Sequence, residues 1–133
     1  MNIVRIIARI ILGIVFATTG ASGFFVHGHP PVPPLAGAFL DVMSKSHWTL
    51  FLAAAQLVMG VLLLINRFVP VALIMVAAFL YNSFAFHITM LPIALFAPVA
   101  VLVLWLIVAL PYRRLFAPIF TAKPVIPSET KEL

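Results

Sequence analysis

Apolar residues fall into four long stretches along this chain, separated by short polar or proline-rich breaks. The clearest is the stretch 67–88, RFVPVALIMVAAFLYNSFAFHI, in which Tyr81, Asn82, Ser83 and His87 interrupt the later half. About 20 helical residues at roughly 1.5 Å each match a hydrocarbon core of about 30 Å, so this stretch predicts a membrane-crossing helix. The same reading gives spans at 3–26, 48–66, 69–88 and 92–111, with an external loop over 27–47. The predicted class is all-α, an integral membrane four-helix bundle over 1–114, followed by a cytoplasmic tail over 115–133.

Local signals refine each stretch. In the first, Gly13, Ala17 and Ala21 recur at i, i+4, i+8, a small-residue face that lets another backbone approach closely, and Gly20 and Gly23 extend it. That seam serves either packing within one bundle or a homo-oligomer. A basic start and small residues near Ala21 also fit a signal peptide, but Phe24, Phe25 and Val26 continue the apolar run past the cleavage point. Pro30, Pro31, Pro33 and Pro34 rule out helix in the loop that follows. Beyond them, Leu35, Phe39, Val42 and Met43 predict a short interfacial helix, with Asp41 and Lys45 toward water.

Trp48 opens the second span as an interfacial aromatic, and Gln56 and Gly60 share a face inside it. The short link to Pro70 predicts a tight antiparallel hairpin of the second and third spans. The fourth span has no strongly polar side chain and is expected to kink at Pro98. The tail, with its polar end SETKEL, is expected to touch the interface and then become disordered.

Composition agrees with this layout: 65% of residues are hydrophobic and 8% charged, against about 25% charged in soluble domains. The formal charge of +5 is not a nucleic-acid footprint, because the basic residues sit at span ends. Arg5, Arg9, Arg67, Arg113, Arg114, Lys123 and Lys131 fall on one side of a four-span topology and only Lys45 on the other. Both termini are therefore expected to be cytoplasmic. With no cysteine, disulfides, thiolate metal sites and dithiol redox chemistry are excluded.

Few groups remain for chemistry. His27, His29, His47 and His87 all fall toward the external side, yet His-x-His in a proline-rich loop is not a metal signature. No metal site is expected. Asn82 and His87 are about 140° apart on an ideal helix, so one ligand need not touch both. The plain expectation is that Gln56, Asn82 and Ser22 hydrogen-bond across helices; a small-molecule or quinone cavity is the competing one. The candidate ligand-binding residues are His87, Asn82, Gln56, Ser22, Gly20 and Gly23.

The pieces Gly20 to Phe24, Gly60 to Leu64, Arg67 to Pro70 and Asn82 to His87, in that order, resemble the DoxX family of small bacterial four-helix membrane proteins, particularly its DoxX-like branch. The resemblance covers roughly residues 5–112 and implies a bacterial inner-membrane location. It further implies a noncatalytic subunit or accessory factor of a respiratory or redox-related membrane complex. The alternative it implies is a quinone-reactive oxidoreductase component, with His87 donating a hydrogen bond to a quinone carbonyl. A small transporter is disfavoured by the lack of embedded charge or paired repeats. The family commonly carries an acidic residue where Gln56 stands and an asparagine where Ser22 stands. Gln56 cannot exchange a proton, so proton transfer there is not expected in this chain.

Overall fold

The computed structural model describes residues 2–127, and among them every regular element is helical. The elements are α1 (Ile3–Ser22), α2 (Pro34–Lys45), α3 (Trp48–Leu64), α4 (Val69–Met90), α5 (Phe96–Ala109) and the single turn α6 (Arg113–Phe116). Short 3₁₀ turns at Pro92–Ala94, Leu110–Tyr112 and Ala117–Phe120 flank the last two. Three stretches, Ile3–Ser22, Val69–Met90 and Pro92–Phe120, are long and apolar enough to cross a membrane. A fourth results if α2 and α3, bent by 87° at their junction, count together.

Terminal chemistry explains most of the boundaries. Asn2 caps α1, its side-chain oxygen accepting from the Val4 amide at 3.0 Å. The first helix stops at Ser22, four residues short of the expected span end, and Phe24 to Val26 close it as turns. At the end of α3, Asn66 adopts a left-handed conformation (φ 57°). The Asn66 amide donates to the Leu63 carbonyl and the Arg67 amide to Leu62, a Schellman closure in which asparagine replaces the usual glycine. Pro98 does not kink a running helix. It sits in the first turn of α5, where an amide donor is not needed, and the chain breaks upstream at Leu91 and Leu95.

Going round the bundle the order is α1, α3, α4, α5, each helix packed on its two neighbours. The closest pair is α1 with α3, not the α3–α4 hairpin expected from the short link. Small residues cause this. A Cβ added to Gly60 would lie 2.7 Å from the Ala17 Cα, and one on Gly20 would lie 2.8 Å from the Leu57 Cα. The seam therefore runs through Gly13, Ala17 and Gly20, and it is filled within the chain by α3. Arg9 reinforces it by donating from its guanidinium to the Leu63 carbonyl at the C-terminal end of α3, where a cation also complements the helix dipole. Trp105 does the same between α5 and α4, donating to the Leu73 carbonyl at 2.8 Å.

The core fills only part of the bundle. Leu12, Phe16, Leu63, Leu73 and Val76 are fully buried, and along α4 burial ends at Leu80. In α5 the buried residues besides Pro98 are Val108 and Ala109, near its C-terminal end. Burial on α4 and α5 thus concentrates toward the Arg9 end, while α1 and α3 stay in close contact up to Gly20 and Gly23; at the opposite end α2 packs on α3 and α4. Outward faces carry large apolar side chains, among them Ile7, Ile14, Phe51, Val58, Ile74 and Val103. The expected disorder of SETKEL lies in residues 128–133, outside the described residues.

Candidate ligand-binding cavity

Helices α2, α3 and α4 together wall a cavity of about 460 Å³. From α2 it is lined by Phe39, Leu40 and Met43; from α3 by Trp48, Leu52, Ala55 and Met59. The α4 wall runs from Met75 through Ala78, Phe79, Asn82 and Ser83 to Phe86 and His87. Phe79 separates cavity from core, its ring meeting buried Phe16 of α1 edge-on at 5.1 Å. At the roof, Phe39 stacks obliquely on Phe86 at 5.6 Å, and Phe86 meets the His87 ring edge-on at 5.2 Å.

The proline-rich loop ties the roof down. His29 packs over Gly37, which leaves its Cβ position 3.3 Å from the ring. Its Nδ1 lies 2.8 Å from the Pro30 carbonyl oxygen and its Nε2 3.3 Å from the Asp41 carboxylate of α2. Both nitrogens face acceptors, an arrangement the doubly protonated ring satisfies completely. The apolar stripe expected on α2 is only partly used: Leu35 and Val42 are exposed, while Ala36 and Gly37 are buried.

The structure divides the expected site residues. Asn82 and His87 meet in one cavity despite their angular offset, because α4 presents a broad face whose two edges they form. Gly20 and Gly23 belong instead to the α1–α3 seam, against Leu57 and Ala53. Ser22 is exposed on α1 and donates to the Thr19 carbonyl of its own helix. Gln56 is half-buried on α3 and does not line the cavity.

The hydrogen bonds expected across helices from Gln56, Asn82 and Ser22 do not form. Polar side chains turn back on their own helix instead. Asn82 Nδ2 donates to the Ala78 carbonyl at 2.9 Å, and Thr18, Thr19 and Thr89 donate to the carbonyls four residues earlier at 2.7 Å each. Such back-bonding satisfies a polar group without any partner helix. Arg9 and Trp105, by contrast, reach backbone carbonyls of neighbouring helices.

His87 follows the same rule, with a chemical consequence. Its Nδ1 lies 2.7 Å from the Ser83 carbonyl oxygen, which can only accept, so Nδ1 carries the proton. The Ser83 hydroxyl, 3.4 Å from the same nitrogen, is a weaker neighbour. In the neutral ring Nε2 is then an acceptor, the reverse of the donor role expected toward a quinone carbonyl.

Sequence reasoning did not find the rest of the lining. Met43, Met59 and Met75 come from three different helices and Trp48 reads as a belt residue, so no spacing along the chain links them. Among the described residues no group of three or more His, Asp or Glu side chains is placed to hold a metal ion. The chain matches no protein-family model, no curated protein and no solved structure.

Proposed function

We propose that this chain is a DoxX-like integral membrane protein that lodges an apolar ligand in the α2–α3–α4 cavity. It serves there as a noncatalytic subunit or accessory factor of a respiratory or redox-related complex. The observation that carries this reading is the cavity: its volume of about 460 Å³ lies in the range of small-molecule sites. Its lining is apolar except along the Asn82, Ser83 and His87 edge. Apolar outward faces and self-satisfied polar side chains support a bilayer as surroundings. In this topology α2 lies in the outer interface of a bacterial inner membrane and both termini are cytoplasmic. The positions of Arg5, Arg9, Arg67 and Arg113 favour that orientation.

The quinone-reactive oxidoreductase component stands as the second reading, because Asn82 and His87 share the edge where a headgroup would rest. Purification in native lipid followed by mass spectrometry of proteins, lipids, quinones and metals separates the two. A stable protein partner without stoichiometric cofactor supports the subunit; bound quinone in the isolated homogeneous protein supports the redox component. A chain that purifies alone and empty would sink both.

A further inference from the structure

The cavity's polar edge has a definite hydrogen-bonding sense. His87 Nδ1–H is spent on the Ser83 carbonyl at 2.7 Å, and Nε2 has no protein partner among the described residues. Asn82 Nδ2 is held to the Ala78 carbonyl at 2.9 Å, which orients the amide and leaves Oδ1 as a second open acceptor. The donors left here are one Asn82 N–H and the Ser83 hydroxyl, with the Trp48 indole N–H on the α3 wall. An occupant that presents only acceptors, such as an ether or a ketone, would leave Nε2 desolvated and unpaired. Such mismatches are costlier than the net worth of a good bond.

The body of the cavity adds a second constraint. Phe39, Trp48, Phe79 and Phe86 bring four aromatic rings to its wall, with Met43 and Met59 beside them. Rings favour offset or edge contacts with another ring, and thioethers adapt to a ring's edge. A flat aromatic body therefore fits this lining better than a saturated acyl chain.

We propose that the cavity binds an aromatic alcohol, its hydroxyl donating to His87 Nε2, in preference to the ether or carbonyl form of the same skeleton. This rests on the ligand-binding reading above and adds the chemical class of the ligand. The shared chemistry is a hydroxyl on a flat aromatic body, as in a phenol or a reduced quinone.

The test uses the full chain in lipid nanodiscs at one pH throughout. Two matched probes, 2-naphthol and 2-methoxynaphthalene, are titrated while the fluorescence of Trp48 in the cavity wall is followed. Both are also titrated against His87→Phe, which keeps a ring and removes the acceptor, so that partitioning of each probe into lipid cancels. The expected result is a preference for the alcohol about tenfold larger in the native chain than in the variant, equivalent to about 1.4 kcal/mol.

An equal preference in both proteins would overturn the hydrogen bond while leaving the cavity standing. Failure of the native chain to bind either probe, as when a lipid acyl chain fills the space, would overturn the cavity reading and the inference together. A measurement on the native chain needs no variant: the ¹⁵N signal of His87 Nε2 is expected at an unprotonated position and to move with 2-naphthol but not with the ether. A protonated Nε2 without probe would overturn the assignment.

Discussion

A methyl group placed on Gly60 would lie 2.2 Å from the amide nitrogen of Ala17. Neither partner can yield, since the obstruction is backbone on both sides. Gly60→Ala is therefore expected to destabilise the chain by about 2 kcal/mol or more, against a gain of at most about 1 kcal/mol in helix propensity. Gly13→Ala is the milder comparison: its methyl would meet the partly exposed Leu64 side chain at 2.8 Å, and its nearest backbone neighbour, the Gly60 carbonyl oxygen, is at 3.2 Å instead of 2.2 Å. Unfolding in detergent or nanodiscs should rank Gly60→Ala well below Gly13→Ala. Equal stability would mean that the α1–α3 seam is not closed as described.

Trp105 makes one of the polar bonds that cross between helices, to the Leu73 carbonyl at 2.8 Å. Trp105→Phe keeps a ring in place and removes the donor, and a loss of about 1 kcal/mol is expected. An unfolding midpoint unchanged from the native chain would assign the contact to packing alone.

Asn82 bonds only its own helix, so Asn82→Leu is expected to change stability by less than about 0.5 kcal/mol. This differs from what a polar residue inside an apolar helix first implies, namely a packing role. His87→Ala is expected to leave folding similarly intact and to weaken retention of an aromatic alcohol in the cavity. Thermal unfolding and probe binding measured on both variants check the two statements; a His87→Ala chain that lost stability yet bound as before would make the histidine structural.

His29 ties the loop to α2, its Nε2 3.3 Å from the Asp41 carboxylate and its Nδ1 2.8 Å from the Pro30 carbonyl oxygen. Asp41→Asn is therefore expected to quicken hydrogen exchange of the α2 amides. Global unfolding should hardly move, because an exposed contact of this kind contributes little. Protection of α2 that ignores the substitution would dissociate the loop from the roof.

Topology is open to a direct measurement, since the chain contains no cysteine. Ser44→Cys is expected to react with an impermeant maleimide from outside intact cells, and Lys123→Cys only after the membrane is opened. Labelling of both from the same side would refute the four-span arrangement.

Helix existence and most helix starts were legible in the sequence, because length, apolar content and terminal residues act locally. Trp48 and Val69 begin α3 and α4 where the pattern places them, and α2 forms despite Gly37. Pro98 misled because a proline's effect depends on whether its missing amide falls in the first turn or the interior, and the break upstream decided that. The pairing of α1 with α3 was half visible: Gly13, Ala17 and Gly60 announced a close approach, but a small-residue face does not name its partner. Only the tertiary structure decided the cavity. The cavity is walled by residues of α2, α3 and α4 together, a placement set by contacts among residues far apart in the chain. The tautomer of His87 depended on it as well, for the Ser83 carbonyl fixes the ring while the cavity leaves its other nitrogen without a partner.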